Sequence, residues 1–476
     1  MLFNSLEFAL FFPIVAALYF AVPHRHRTAL LLIASCIFYV AFIPAYIAIL
    51  GVTILIDYVA GIWLERAAGR SRRLILIGSI VSTCAVLFVF KYFYFFTDTV
   101  VGVAGIFGWQ LTGPTIDIIL PVGLSFHTFQ SLSYVIEVYY ERQKAERNFI
   151  VYATYVMFFP QLVAGPIERP QNLLHQFYEH HAFDYARIAS GLKRMSWGFF
   201  KKLVVADRLA LYVNDVYGSP RDFNGLQLTL ATIFFAYQIY CDFSGYSDIA
   251  IGSARVLGFR LMENFRNPYH SKSIAEFWGR WHISLSTWFR DYVYIPLGGN
   301  RVVRVKWFRN LLITFTVSGL WHGASWTYVL WGAVNGVYLI CGLISRPLRD
   351  RAWQQSGLDR LRPIVAIATV FALTCAAWVL FRAQTISDAT YILTNFWKGW
   401  DPYIIRTPQF LMRQMPAAIL SIVFLEMVQL IHPRWSITAF VSRRPVAVRW
   451  FAYTSFATAV ILFGVYKNTQ FIYFQF

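Results

Sequence analysis

Two histidines stand where an imidazole could do chemistry: His282, in Arg280-Trp281-His282-Ile283-Ser284, and His322, in Gly319-Leu320-Trp321-His322-Gly323-Ala324. The other eight sort by position. His24 and His26 occupy a basic loop, and His175, His180, His181 and His270 fall in polar connections, so these are expected to be surface positions, while His432 borders a helix end. His127 lies in an apolar stretch beside Phe126 and Phe129 and is expected to make a structural hydrogen bond, with catalysis as the alternative.

His322 follows the basic Arg309 by thirteen residues. At ~1.5 Å per helical residue that places it roughly 20 Å into an apolar segment. An ionisable side chain at such depth is costly and is a functional hypothesis by default. The alternative is a buried neutral imidazole that bonds two helices together. A neutral imidazole can also accept the proton of a hydroxyl as that oxygen attacks a carbonyl. Gly319 and Gly323 flank His322, and their lack of a side chain would let a chain or substrate approach the backbone. Acyl transfer to an alcohol is the chemistry these features suit.

A second polar cluster is Tyr240-Cys241-Asp242-Phe243-Ser244-Gly245-Tyr246-Ser247-Asp248. Asp242 and Asp248 are six residues apart, so on one helix they point in different directions and do not form a paired-carboxylate dyad. Anchoring of neighbouring helices through Arg or His partners is expected of them, with orientation of a catalytic histidine as the alternative. No G-x-S-x-G elbow, P-loop or dinucleotide fingerprint occurs, which leaves phosphoryl transfer and redox chemistry without support. No His-x-x-x-His or C-x-x-C pair is present, and Cys36, Cys84, Cys241, Cys341 and Cys375 are dispersed in apolar stretches. Neither a metal site nor a disulfide is expected.

The elements that must position these residues are membrane helices. Of 476 residues 58% are hydrophobic and only 14% charged, with a mean hydropathy of +0.50, against roughly 25% charged in a soluble domain. Residues 5–22, 74–96 and 450–466 form runs near the ~20 apolar residues that cross ~30 Å of hydrocarbon. Residues 1–8 contain no Lys or Arg and no small-residue cleavage pattern follows, so the first run is expected to be a retained helix.

The net charge of +18 sits mostly in short loops. Such clustering orients the chain and favours anionic lipid headgroups, not nucleic acid. Arg25 and Arg27, then Arg66, Arg70, Arg72 and Arg73, then Arg142, Lys144 and Arg147 follow the first, third and fifth crossings. The N-terminus is therefore expected outside the cytoplasm.

Helices around 149–167, 187–217 and 226–258 contain Pro160, Pro166, Lys201, Lys202, Asp242 and Asp248, which survive at membrane depth only under shelter. Residues 271–295 read as one amphipathic or tilted helix, followed by a basic loop at 300–309, a helix pair at 310–324 and 327–344, and a second basic loop at 346–362. The expectation is an all-α bundle of eleven to thirteen helices in one membrane-embedded domain, residues 1–476. Within it, 1–147 are N-terminal helices, 148–345 a catalytic core and 346–476 C-terminal helices.

At the two histidine motifs the chain resembles the membrane-bound O-acyltransferase superfamily, in particular the subgroup that O-acetylates bacterial alginate. The resemblance includes Met1-Leu2-Phe3-Asn4-Ser5 with Phe11-Phe12-Pro13, Leu120-Pro121-Val122-Gly123-Leu124-Ser125-Phe126 and Pro160-Gln161-Leu162-Val163-Ala164-Gly165-Pro166. It continues through the Asp242 to Asp248 cluster, Glu276-Phe277-Trp278-Gly279-Arg280-Trp281-His282-Ile283-Ser284-Leu285-Ser286, Leu297-Gly298-Gly299-Asn300-Arg301 and Leu320-Trp321-His322-Gly323-Ala324. It ends on Phe471-Ile472-Tyr473-Phe474-Gln475-Phe476.

The resemblance implies a multi-pass enzyme of the bacterial inner membrane whose helices surround a central passage. His322 would line that passage and His282 would lie beside it. It implies acetyl-CoA as donor substrate, with no bound cofactor, and a periplasmic partner protein or an exported polysaccharide as recipient. His322 would take the hydroxyl proton while His282 orients or polarises the donor. Arg280, Arg147 or Arg309 would meet the CoA phosphates, because the guanidinium fork is bidentate. Trp321, Asp242 and Asp248 complete the candidate substrate-binding residues. The subgroup's Arg-Arg-Trp-His is Gly279-Arg280-Trp281-His282 here, a departure that weakens a donor contact at position 279.

Other readings share these motifs: transfer of D-alanine from a carrier protein to teichoic acid, acetylation of cellulose or a peptidoglycan sugar, and acylation of a lipid. A non-catalytic acyl transporter or scaffold is a further class. A transporter would be expected to show repeats and paired broken helices, which the sequence lacks.

Overall fold

The computed structural model describes residues 1–42, 44, 46–114, 121, 123–400, 414–431, 437–466 and 471–472, and among them regular structure is helical with no strand. His432, Leu120, Val122 and residues 473–476 lie outside the described residues. Among the described residues five helices are long and apolar enough to cross a membrane: Tyr46–Arg66, Gly69–Ile106, Trp326–Ser356, Arg362–Arg382 and Val446–Phe463. Leu6–Ala21 and Met415–Ile431 are shorter apolar helices. A helix satisfies its backbone polar groups internally, which hydrocarbon demands. The chain is thus a multi-pass, all-α membrane protein.

Helix ends follow local chemistry. Ser5, Asn148, Ser273 and Ser325 each accept a hydrogen bond from a backbone N–H in the first turn of the helix that follows, which satisfies one of the orphan donors there. The basic stretch expected as a loop at 346–362 is largely helical. No glycine interrupts the chain between Gly342 and Gly357, and the Trp326–Ser356 helix runs on until Gly357 closes it at φ 67°. The following turn is short, and the helix on its other side is Arg362–Arg382. The helix expected near 149–167 stops at Met157, where Phe158 leaves helical geometry two residues before Pro160. Residues 185–218 form two α-helices, Tyr185–Phe199 and Asp207–Gly218, joined by a π-helical turn over Phe200–Ala206.

The chain divides into two compact units, residues 1–195 with 247–263, and residues 196–246 with 264–476. In the first unit, Asp57 is buried inside the Tyr46–Arg66 helix and accepts hydrogen bonds from Ser79 Oγ at 2.6 Å, Thr83 Oγ1 at 3.2 Å and Ser131 Oγ. Three hydroxyls from two other helices thereby answer the carboxyl group that the apolar span would otherwise leave unsatisfied. Glu168 is likewise buried and accepts from the Met262 N–H. In the second unit, an aromatic core gathers around Trp281, Trp331, Trp378 and Phe381.

Candidate functional site

The second unit brings both motif histidines together. His322 is the last residue of the Arg304–His322 helix, and the Trp326–Ser356 helix begins four residues later. These two helices meet backbone to backbone. A Cβ on Gly319 would lie 2.2 Å from the Tyr328 carbonyl oxygen, and one on Gly332 would lie 2.2 Å from the Phe315 carbonyl oxygen. A Cβ on Gly323 would meet the Tyr328 ring at 2.2 Å. Of the chain or substrate expected to approach Gly319 and Gly323, it is the chain that does so, through Tyr328 and Gly332. The glycines serve close helix packing, and that packing fixes the end of the helix that carries His322.

Aromatic rings wall the His322 imidazole. Trp331 stands perpendicular to it at 4.9 Å between centroids, Phe381 lies at 5.5 Å and Trp321 at 5.0 Å. Trp331 in turn stacks on Trp378 at 5.7 Å with 14° between planes. Three aromatic side chains thus pack around the buried His322 ring.

His282 arrives from a different element. The single helix expected over 271–295 is broken: Ile274–Arg280 ends, Trp281 is extended, and His282 takes left-handed backbone angles (φ 44°, ψ 53°) before Ile283–Phe289 begins. A non-glycine residue there is uncommon and persists only where its surroundings hold it. Asn264 does so. Its backbone carbonyl accepts from Ile283 N at 3.0 Å, and its side-chain Oδ1 lies 3.2 Å from Ser284 N, 3.0 Å from Ser284 Oγ and 3.2 Å from His282 Nδ1.

His282 is fully buried, with the Phe243 ring edge-to-face at 4.5 Å. It lies outside the five spans listed above, and burial pushes its pKa down to about 3, so the ring is neutral at physiological pH. Its centroid is 6.4 Å from that of His322 and 6.3 Å from that of Trp321.

The remaining candidates distribute around this pair as follows. Trp321 touches both histidines. Asp242 is salt-bridged to Lys202 at 2.6 Å, and Lys202 also reaches Asp207 at 2.9 Å. Asp242 precedes Phe243, the ring against His282, and its Oδ2 accepts the Ile472 N–H at 2.8 Å. Arg280 is two residues from His282, is partly exposed, and pairs with Glu276 one turn away at 2.6 Å. Arg309 donates to Asn310 Oδ1 at 3.3 Å. In the first unit, Asp248 pairs with Arg194 at 2.9 Å, and Arg194 also holds Glu263. Arg147 pairs there with Glu65.

Sequence reasoning passed over Asn264, Phe243, Trp331 and Phe381. Asn264 is 18 residues upstream of His282, and no short-range pattern links the two. Its one signal is a buried-context Asn between Glu263 and Phe265 in a stretch without helical periodicity.

Residues 139–382 match the model of the MBOAT, membrane-bound O-acyltransferase, family. The chain is 40% identical over 393 residues to the probable alginate O-acetylase AlgI of Azotobacter vinelandii, an alignment covering 82% of this chain and 76% of that one. It is 41% identical over 394 residues to the protein of the same name from Pseudomonas aeruginosa, covering 82% and 73%. It is 32% identical over 393 residues to the peptidoglycan O-acetyltransferase of Helicobacter pylori, covering 76% and 72%.

Proposed function

The chain belongs to the membrane-bound O-acyltransferase family, and from that premise we propose that it moves an acetyl group from acetyl-CoA to hydroxyls of an exported polysaccharide such as alginate. The observation that carries the reading is the pair of buried imidazoles 6.4 Å apart in a chain 40% identical to the probable alginate O-acetylase AlgI of Azotobacter vinelandii. The enzyme works in the bacterial inner membrane. Its basic loops face the cytoplasmic donor, and a periplasmic partner protein receives or relays the acetyl group.

In the reaction, an acceptor hydroxyl attacks the thioester carbonyl and His322 takes its proton as the C–O bond forms. The tetrahedral state collapses with cleavage of the C–S bond, and the expelled thiolate recovers the proton to leave as CoA thiol. No proton is gained or lost overall. The rings of Trp331, Phe381 and Trp321 keep water from the centre, which protects the thioester from hydrolysis. Arg280 and Arg309 are the candidates in this unit for the phosphates of CoA. Asp242 and Asp248, each held by a cation, act on substrate only through the elements they fix.

The test is CoA release from radiolabelled acetyl-CoA by the protein in lipid nanodiscs, with mannuronate oligomers as acceptor. Wild type should turn over and label the oligomer, whereas His322→Ala and His282→Ala should not at matched folded concentration. Activity retained by His322→Ala would overturn the assignment and favour a non-catalytic carrier. The 32% identical peptidoglycan O-acetyltransferase favours a second reading, acetylation of peptidoglycan sugars. Label appearing in muropeptide and not in mannuronate would establish it.

A further inference from the structure

We propose that Asn264 is a positioning residue that locks His282 as the tautomer with its hydrogen on Nδ1, making Nε2 a hydrogen-bond acceptor toward a substrate hydroxyl or thiol. This deepens the acetyl-transfer reading and rests on it.

The argument starts from a donor that cannot be anything else. The Ser284 backbone N–H only donates, and it lies 3.2 Å from the Asn264 side-chain atom that also receives Ser284 Oγ–H at 3.0 Å. That atom is therefore the amide oxygen, which settles the orientation of the Asn264 amide. The same oxygen lies 3.2 Å from His282 Nδ1. Two acceptors cannot share a hydrogen bond, so Nδ1 carries the hydrogen. A neutral imidazole has one N–H, and its other nitrogen accepts. His282 is fully buried against Phe243, conditions that keep it neutral.

The backbone strengthens the assignment. Asn264 holds three consecutive residues, 282 through its side chain, 283 through its carbonyl and 284 through its side chain again. His282 needs that clamp because it sits in the left-handed region between two short helices. One asparagine thus maintains the break in the backbone and chooses which nitrogen of the ring is basic.

The consequence for the chemistry is specific. An imidazole protonated at Nδ1 has no hydrogen on Nε2 to give to a thioester carbonyl. His282 accordingly does not polarise the donor by hydrogen bonding through Nε2. Through Nε2 it accepts a hydrogen bond from an O–H or S–H of a substrate and so orients that group. The single proton of the reaction passes from the attacking hydroxyl to His322 and from there to the expelled thiolate, with no net change.

The experiment is solid-state 15N NMR of protein with ring-15N histidine in lipid nanodiscs, the His282 signals being those that vanish in His282→Gln. Wild type should show a protonated Nδ1 and an unprotonated Nε2. A protonated Nε2 overturns the proposal without any further variant. Asn264→Asp, whose carboxylate can still accept from Nδ1 and Ser284 N, should keep the tautomer and most of the turnover. Asn264→Leu should lose the tautomer and lower kcat by roughly 10²-fold with the KM for acetyl-CoA little changed. Undiminished kcat in folded Asn264→Leu would also overturn it. The spectrum reads the ring whether or not the enzyme turns over. A wild type inactive toward acetyl-CoA would therefore count against the transfer reading, while the tautomer would be judged by its own signal.

Discussion

The ammonium of Lys202 lies 2.6 Å from Asp242 Oδ1 and 2.9 Å from Asp207 Oδ1, with all three side chains buried. The π-helical turn at Phe200–Ala206 places Lys202 there, and Gly245 lets the neighbouring helix come close, since a Cβ on it would lie 2.8 Å from the Gly198 carbonyl oxygen. Removing one member of a buried pair leaves a charge uncompensated, at a cost of about 3–5 kcal/mol. Lys202→Met should therefore unfold at markedly lower temperature in detergent than wild type. Lys202→Met/Asp242→Asn/Asp207→Asn should recover part of the loss. A triple variant no more stable than the single would show that the cation and the two carboxylates act separately.

Gly319→Ala places a methyl group 2.2 Å from the Tyr328 carbonyl oxygen, a backbone atom that cannot swing away. Overpacking of this kind costs about 1–3 kcal/mol, occasionally more. Reduced yield of folded protein and a lowered unfolding temperature are expected, with Gly279→Ala as the control because its Cβ would meet open space.

Glu168 sits in the connection after Met157, outside the spans, and burial raises its pKa from 4.5 to about 7, opposed by the Met262 N–H it accepts. The folded state therefore holds this proton more tightly than the unfolded chain. Its contribution to stability is full below about pH 4.5 and is lost as pH rises to about 7. Glu168→Gln should show a weaker fall in unfolding temperature across that window than wild type. Identical slopes would mean that Glu168 titrates normally.

If Arg280 leaves Glu276 to meet a CoA phosphate, Arg280→Ala should raise the KM for acetyl-CoA with kcat nearly unchanged, by roughly tenfold for the loss of one charged hydrogen bond. Steady-state kinetics with varied donor measure it. An equal fall in kcat would place Arg280 in the transition state instead.

The all-helical bundle was legible in composition alone, because hydrocarbon permits few other solutions. His282 and His322 stood out for the same reason: polar residues among apolar ones declare themselves. Their separation of 6.4 Å did not, since it depends on the break at His282. The alternating Phe277, Trp278, Trp281, Leu285 and Trp288 fit a continuous helix, and only the remote Asn264 explains why the chain departs from it. Gly319 and Gly323 were conspicuous as glycines, yet sequence could not say whether a substrate or a neighbouring helix required them. Asp242 and Asp248 likewise showed a need for partners without identifying Lys202 and Arg194, which come from helices 40 and 54 residues away.

The contact between Gly319 and Gly332 also limits how this protein can diverge. These glycines face each other with twelve residues between them in the chain, and a helix advances about 100° with each residue. An insertion or deletion of one residue between them would rotate Gly332 off the contact and bring a side chain against the Phe315 and Tyr328 carbonyls. The hairpin that carries His322 can therefore accept substitutions at its exposed apolar positions, such as Leu330 and Val337, while its length stays fixed.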